Sequence, residues 1–246
     1  MTSADAPRHD GRRPHDLRGI EITRGFTEAA PGSVLYRCGR TLVFVTASIE
    51  ERVPGWMMGR GKGWLTAEYS MLPGSGTTRK PRDRGTGRVD GRTHEIQRLV
   101  GRALRSVTDL AALGERTVWL DCDVLQADGG TRTACINAAY VALCDALKTY
   151  AFKKPLARWP VAEAVGAISV GVVNGQVVTD LDYHEDHRAD VDMNVVMTAS
   201  GRFLEVQGTG EARPFDRAEL DALLEHGRLG VEVVIEACRQ ALAAPA

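Results

Sequence analysis

Thr117-Val-Trp-Leu-Asp-Cys-Asp-Val-Leu-Gln126, followed after Ala127 by Asp128-Gly-Gly-Thr-Arg-Thr-Ala134, is the stretch on which the fold turns. In its first part Val118, Leu120, Cys122 and Val124 alternate with Trp119, Asp121 and Asp123, the period of a strand with one buried face. Beyond it Ile136, Ala139, Tyr140, Leu143, Leu147 and Tyr150 recur at the spacing of one helical face. The glycine pair therefore sits where a strand turns into a helix. Gly129 and Gly130 admit backbone angles closed to other residues, and the first N–H groups of the helix have no intrahelical acceptor, so an anion fits there. Arg132 adds a planar fork for two phosphate oxygens, and Thr131 adds a hydroxyl. Taken alone, the same residues also make an ordinary capped turn with a solvated arginine, so the remainder of the chain has to decide.

Working outward, strand-like runs precede this stretch at Ile20 to Phe26, Ser33 to Cys38, Thr41 to Ile49 and Trp64 to Met71, the second and third separated by Gly39-Arg40 as in a hairpin. Thr93 caps an amphipathic helix whose core face is Ile96, Leu99, Val100, Ala103, Leu104, Val107 and Leu110; Arg98, Arg102 and Arg105 lie opposite, available to solvent or to another subunit. Lys153 to Pro160, with its prolines, connects two halves, about 16–152 and 161–246, of one domain. Strand-like runs resume at Gly166 to Val173, Gln176 to Leu181, Val191 to Ala199 and Arg202 to Gln207. A last helix opens at Asp216 with Glu219 as capping-box partner, and Gly227 and Gly230 divide it into two. Residues 1–15 are polar and read as a flexible N-terminal segment whose arginines are free to touch RNA or a neighbouring subunit.

The 246 residues are enough for a substantial core, and a net charge of -1 leaves the molecule with no overall basic bias. Any affinity for nucleic acid must be local. Between Pro73 and Gly91 the composition changes to Gly, Thr, Pro and Arg, with Arg79, Lys80, Arg82, Arg84 and Arg88 close together. Such a segment makes no core, and its charge is the footprint expected opposite a phosphate backbone. The five cysteines form no C-x-x-C pair and mostly lie in apolar runs, as reduced thiols do in a cytoplasmic protein. No apolar run approaches membrane-spanning length, and there is no apolar signal segment.

A second constellation is acidic. Asp180, Asp182, Glu185, Asp186, Asp190 and Asp192 crowd a short strand-loop-strand region, with 180 and 182 of one strand parity. Carboxylates gathered like this repel unless a cation or a raised pKa relieves them, which points to Mg²⁺ or general acid chemistry, or to a solvated acidic hairpin. His184 and His187 flank Asp186, but a single H-x-x-H on a loop lacks the further soft ligands zinc takes, and no zinc site is read here. A held anion, a basic loop and a carboxylate cluster together are what phosphate attack on a phosphodiester requires.

The runs Gly61-Lys-Gly-Trp-Leu-Thr-Ala-Glu-Tyr-Ser-Met-Leu-Pro73, Gly91-Arg-Thr-His-Glu-Ile-Gln-Arg-Leu-Val-Gly-Arg-Ala-Leu-Arg105, Asp121 to Ala134 and Val191-Asp-Met-Asn-Val-Val-Met-Thr198 resemble the bacterial ribonuclease PH family, from about Arg8 to the last helix. The resemblance implies an α/β (α+β) fold of the ribosomal protein S5 domain 2-like type, a pseudo-duplicated sandwich of sheets and helices. It also implies a phosphate-dependent 3′-to-5′ exoribonuclease acting on tRNA precursor 3′ ends and other RNA tails, releasing nucleoside 5′-diphosphates, and a homo-hexamer built as a trimer of dimers. Carried over by motif, Arg92, Gly130, Thr131 and Arg132 would bind phosphate. Asp180 and Asp186, in Asp180-Leu-Asp-Tyr-His-Glu-Asp186, would ligate Mg²⁺ or assist the leaving group. Arg79, Arg82 and Arg88 fall in the RNA-contacting loop. Gly74-Ser75-Gly76 stands where the family has Arg-Ala-Thr, and Arg84 is placed to compensate for the missing cation. The competing readings are a catalytically silent ring subunit that threads RNA and a hydrolytic Mg²⁺ nuclease.

Overall fold

The computed structural model describes residues 8–81 and 90–245, so Arg82, Arg84 and Arg88 lie outside the described residues. The first sheet is built from β1 (Ile20–Arg24), β2 (Gly32–Cys38), β3 (Thr41–Glu50), β4 (Trp64–Met71) and β5 (Thr117–Gln126), in the spatial order β1-β2-β3-β5-β4. Its neighbours are antiparallel except β4 and β5, which run parallel with Trp64 beside Thr117 and Met71 beside Val124. A parallel pair needs a crossover, and here it contains α1 (Gly91–Ser106) and the short α2 (Leu110–Leu113). The second sheet, β6 (Val165–Val173), β7 (Gln176–Thr179), β8 (Val191–Thr198) and β9 (Phe203–Gly210), is antiparallel throughout in the order β7-β6-β8-β9.

Between the sheets runs α3 (Thr131–Lys153). The spacing of its apolar residues predicts one buried face, but every residue from Thr133 to Leu147 is buried. The reason is its place: β2 and β3 pack on it from one sheet and β6 from the other, so no side of its middle reaches water. Ile136, Leu143 and Leu147 are fully buried there, each contributing about 2 kcal/mol by removal from water. Its N-terminal end is consequently the fixed point against which everything at the site is placed.

α5 (Arg217–Ala243) covers β6, β7 and β8 as one continuous helix, not two. Gly227 and Gly230 are close-approach positions: an added Cβ would lie 2.8 Å from Val195 Cγ2 at the first and 2.7 Å from Thr179 Cγ2 at the second. The capping box read from Asp216 and Glu219 is present. The cap of α1 is Asp90, whose carboxylate accepts the N–H of Thr93 at 2.6 Å, one turn earlier than the sequence indicates. Of the outward arginines of α1, Arg102 pairs with Glu205 on β9, and Arg105 donates to the Leu65 carbonyl at 2.8 Å beneath the Trp64 ring.

The second sheet also departs from the expected strand parity. β7 ends at Thr179, and Asp180 takes a left-handed conformation with φ 57°, so Asp180 and Asp182 do not share a strand face. Asp182 instead caps the single-turn α4 (Tyr183–Asp186) in a capping box with Glu185. All five cysteines are free and buried, and no helix among the described residues is long and apolar enough to cross a membrane.

Candidate active site

The N-terminal end of α3 has no side-chain cap. Gly130 occupies the N-cap position with φ 65° and Gly129 precedes it at φ 74°, both in the left-handed region that favours glycine. Thr41 anchors the turn from β3: its hydroxyl donates to the Gly129 carbonyl at 2.6 Å and accepts the Asp128 N–H at 3.0 Å. The first i→i−4 bond of the helix is Ala134 N–H to Gly130 O, leaving the N–H groups of Thr131, Arg132 and Thr133 without intrahelical acceptors. They carry the positive end of a 23-residue helix.

This end of the helix borders a polar recess of about 60 Å³ whose wall includes Arg92, Gly130, Thr131, Arg132, Asp186 and Asp192. Arg92, from the first turn of α1, makes no hydrogen bond or ion pair among the described residues and also lines two adjoining clefts of about 310 and 380 Å³. Arg132 is steadied by Glu95 Oε1 at 3.1 Å and Gln207 Oε1 at 2.9 Å. The Thr131 hydroxyl meets the Tyr69 hydroxyl of β4 at 3.1 Å; burial pushes the Tyr69 phenol up to about 12, so it stays protonated. An anion arriving here meets donors from α1, β4 and α3.

Opposite stand two carboxylates. Asp186 ends α4, and burial raises its pKa despite the nearby Arg92 and Arg132. Asp192, near the start of β8, is pushed up to about 6, first by burial and then by the charge of Asp186. Its Oδ1 is buried and has no hydrogen-bond partner among the described residues. An orphaned carboxylate oxygen beside a second carboxylate is a donor set suited to a hard divalent cation such as Mg²⁺.

Asp180 is not part of this pair. It is 2% exposed and lines none of these cavities. Both its oxygens are taken by Arg18, through Nε at 2.8 Å and Nη2 at 2.7 Å, with the Arg18 N–H adding a third bond at 2.8 Å. Arg12 and the Cys38 thiol approach the same carboxylate. In this arrangement the Asp180 carboxylate pairs with arginines and fastens the chain, where the resemblance implied a Mg²⁺ ligand or an aid to the leaving group. Residues 8–15 are likewise held, not loose. Arg8 is 7% exposed and grips Glu185 through Nε at 2.6 Å and through Nη2, while its Nη1 reaches the Thr179 carbonyl at 2.7 Å. The acidic crowd is thus relieved largely by arginines from the N-terminal segment, and only Asp186 and Asp192 are left to the recess.

Of the basic residues expected to meet RNA, Arg79 is exposed. Lys80, beside it, lines both larger clefts and rests its Nζ on Met71 Sδ at 3.6 Å. Sequence reasoning counts Asp192 in the acidic cluster without singling it out, and misses Tyr69 and Asn194. A signal for two of them is there: Asp192 and Asn194 are polar at alternate positions of the otherwise apolar run Val191 to Met197, which puts both on one strand face, with Ser169 paired beside Asn194.

Residues 16–148 match the model of the 3′ exoribonuclease family, domain 1, and residues 163–228 match that of domain 2. The ribonuclease PH of Rhodopirellula baltica is 57% identical over 228 residues, 90% of this chain and 92% of that protein. Among solved structures, rice Rrp46 superposes with a TM-score of 0.76 at 22% identity, covering 96% of this chain and 100% of the other. A chain of the Archaeoglobus fulgidus exosome with RNA bound to the active site superposes at 0.75 with 22% identity, covering 94% and 92%. With an uncapped helix end, flanking arginines and a carboxylate pair around one recess, and with these matches along most of its length, the chain belongs to the 3′ exoribonuclease family of ribonuclease PH.

Proposed function

We propose that this chain shortens RNA from its 3′ end by phosphorolysis, acting on tRNA precursors, and that inorganic phosphate is held at the N-terminal end of α3. The observation that carries the reading is the juxtaposition of unpartnered N–H groups, Arg92 and Arg132 with the Asp186 and Asp192 carboxylates across one small recess. Phosphate accepts from the helix N–H groups, the Thr131 hydroxyl and the two guanidinium groups, which orient it and offset its charge. One of its oxygens attacks the phosphorus of the last phosphodiester. The bond from that phosphorus to the 3′ oxygen breaks, the terminal residue leaves as a nucleoside 5′-diphosphate, and the shortened RNA keeps a 3′ hydroxyl after gaining a proton. Mg²⁺, when bound by Asp186 and Asp192, supplies positive charge for the departing oxygen. Asp180 and Arg18 hold the loop that carries Asp186. A phosphoester is exchanged for a phosphoanhydride, so excess nucleoside diphosphate drives 3′ addition.

Arg79, Lys80, Arg82, Arg84 and Arg88 would guide the RNA backbone toward this recess. The subunit would work as a hexameric trimer of dimers in the cytoplasm, a reading supported by the exposed Trp56, Met58 and Phe152, the last 91% exposed, and by five buried thiols. A silent ring subunit would have no need of the carboxylate pair, and a hydrolase would leave the anion site without a task. The test is a tRNA extended beyond its mature 3′ end, incubated with phosphate-free enzyme and Mg²⁺, with and without added phosphate. Nucleoside diphosphates formed only with phosphate are expected; monophosphates formed without it would make the enzyme a hydrolase, and elution as a monomer would remove the ring.

A further inference from the structure

His184 has its partners far away in sequence. His187 is not one of them, for it lies against Tyr183, with ring centroids 6.1 Å apart. The folded N-terminal segment brings His9 over α4 instead: the His9 and His184 rings are 4.3 Å apart, and His9 Nε2 lies 2.7 Å from Asp182 Oδ2. One ligand atom from each of His9, Asp182 and His184 lies within 4.8 Å of the other two. We propose that these three side chains form a binding site for a transition-metal ion of the Zn²⁺ or Co²⁺ kind, separate from the carboxylate pair of the recess.

Two imidazoles and one carboxylate, with water completing the shell, are a ligand set that Zn²⁺ and its neighbours take and that Mg²⁺ does not favour. Both imidazoles are on exposed residues, so an ion can enter without unfolding anything. Asp182 is fixed from behind, since its Oδ1 accepts the Glu185 N–H at 3.0 Å and leaves Oδ2 turned toward His9. The present His9 to Asp182 distance is that of a hydrogen bond, and metal binding asks for it to open to about 3.3 Å, a movement within reach of an exposed ring. Among the described residues Arg12 is the one Lys or Arg side chain paired with Asp182, its Nη2 3.7 Å from Oδ2. Its donors are already engaged by Asp10 Oδ2 at 2.6 Å, the Asp180 carbonyl at 2.8 Å and Glu185 Oε2 at 3.3 Å, which neutralise it locally. A bound ion would tie residue 9 directly to α4, whose last residue is Asp186. The chain order alone shows no such site, because the third ligand is supplied across a separation of more than 170 residues.

The test uses untagged full-length protein in excess Mg²⁺, which occupies the all-oxygen carboxylate site, titrated with Co²⁺ and read by its visible d–d bands. Wild type and His187→Ala should bind one ion per chain with equal affinity, while His9→Ala and His184→Ala each weaken binding by ~100-fold or more. Zn²⁺ should displace the cobalt and erase the bands. Circular dichroism of the variants, unchanged from wild type, shows that an abolished site is not an unfolded chain. Absence of cobalt bands in wild type, affinity unaltered in both histidine variants, or loss in His187→Ala would overturn the proposal.

Discussion

Asp180 and Asp186 belong to one short run of sequence and sit in different surroundings. Asp180→Asn keeps the side-chain shape and the tolerance for a left-handed backbone, and removes only the charge facing buried Arg18. Leaving that guanidinium with only Asp128 Oδ2, at 3.9 Å, as an ion-pair partner should cost about 3 kcal/mol and lower Tm by roughly 10 °C. Asp186→Asn should melt within about 2 °C of wild type while kcat falls ~100-fold, because its carboxylate has no hydrogen-bond or ion-pair partner among the described residues and faces the recess. Burial alone would raise the Asp180 carboxyl, but the hydrogen bonds and charge of Arg18 hold it below its usual 3.8. The pair's stabilisation is therefore full above the unfolded-state pKa and is lost as pH falls through the lower folded value. The Tm gap between wild type and Asp180→Asn should be flat above about pH 5 and close in stronger acid. Melting curves across pH and steady-state rates check this; an Asp180→Asn enzyme that melts like wild type yet has lost turnover would return Asp180 to the chemistry.

At the scale of elements, the site depends on how closely the turn before α3 is pressed against the loop before α4. A Cβ on Gly129 would lie 2.4 Å from the Leu181 carbonyl oxygen and 2.7 Å from Asp182 C, both backbone atoms that do not swing aside. Gly130 is looser, its nearest neighbour being the Thr133 hydroxyl at 3.3 Å. Gly129→Ala should consequently force the two loops apart, raising KM for phosphate at least ~10-fold and lowering Tm, where Gly130→Ala shows mainly the ~1–2 kcal/mol of left-handed strain. Phosphate-dependence curves for the two variants decide it. Equal KM values would mean that loop spacing does not set the phosphate site.

For the whole molecule, a net charge of -1 means that RNA is drawn by a local arrangement and not by a general field. With Gly74-Ser75-Gly76 in place of the family's Arg-Ala-Thr, the load falls on the cations from Arg79 onward. Removing one arginine that neutralises an RNA phosphate should reduce the slope of log affinity against log salt by ~0.7 for a single strand. Arg79→Ala and Arg84→Ala should each show that change with phosphorolysis of a saturating substrate unaltered, and an unchanged slope would remove the residue from the RNA path.

Alternation in Thr117 to Gln126, apolar recurrence after Thr131 and glycines between them were enough, in sequence alone, to place a strand, a helix and the tight turn that joins them, because each is encoded by residues near one another in the chain. The same locality offered Thr131 and Arg132 as anion donors, Arg92 entered through the resemblance, and the fold brings all three to one recess. What only the tertiary structure decided was the fate of the acidic cluster. Whether a carboxylate is free or engaged depends on which cations fold against it, and Arg8, Arg12 and Arg18 arrive from the opposite end of the sequence. They neutralise Asp180 and Glu185, leave Asp186 and Asp192 facing the recess, and carry His9 to Asp182 and His184. Partners more than 160 residues apart leave no local period or spacing to read, so that assignment belongs to the folded chain.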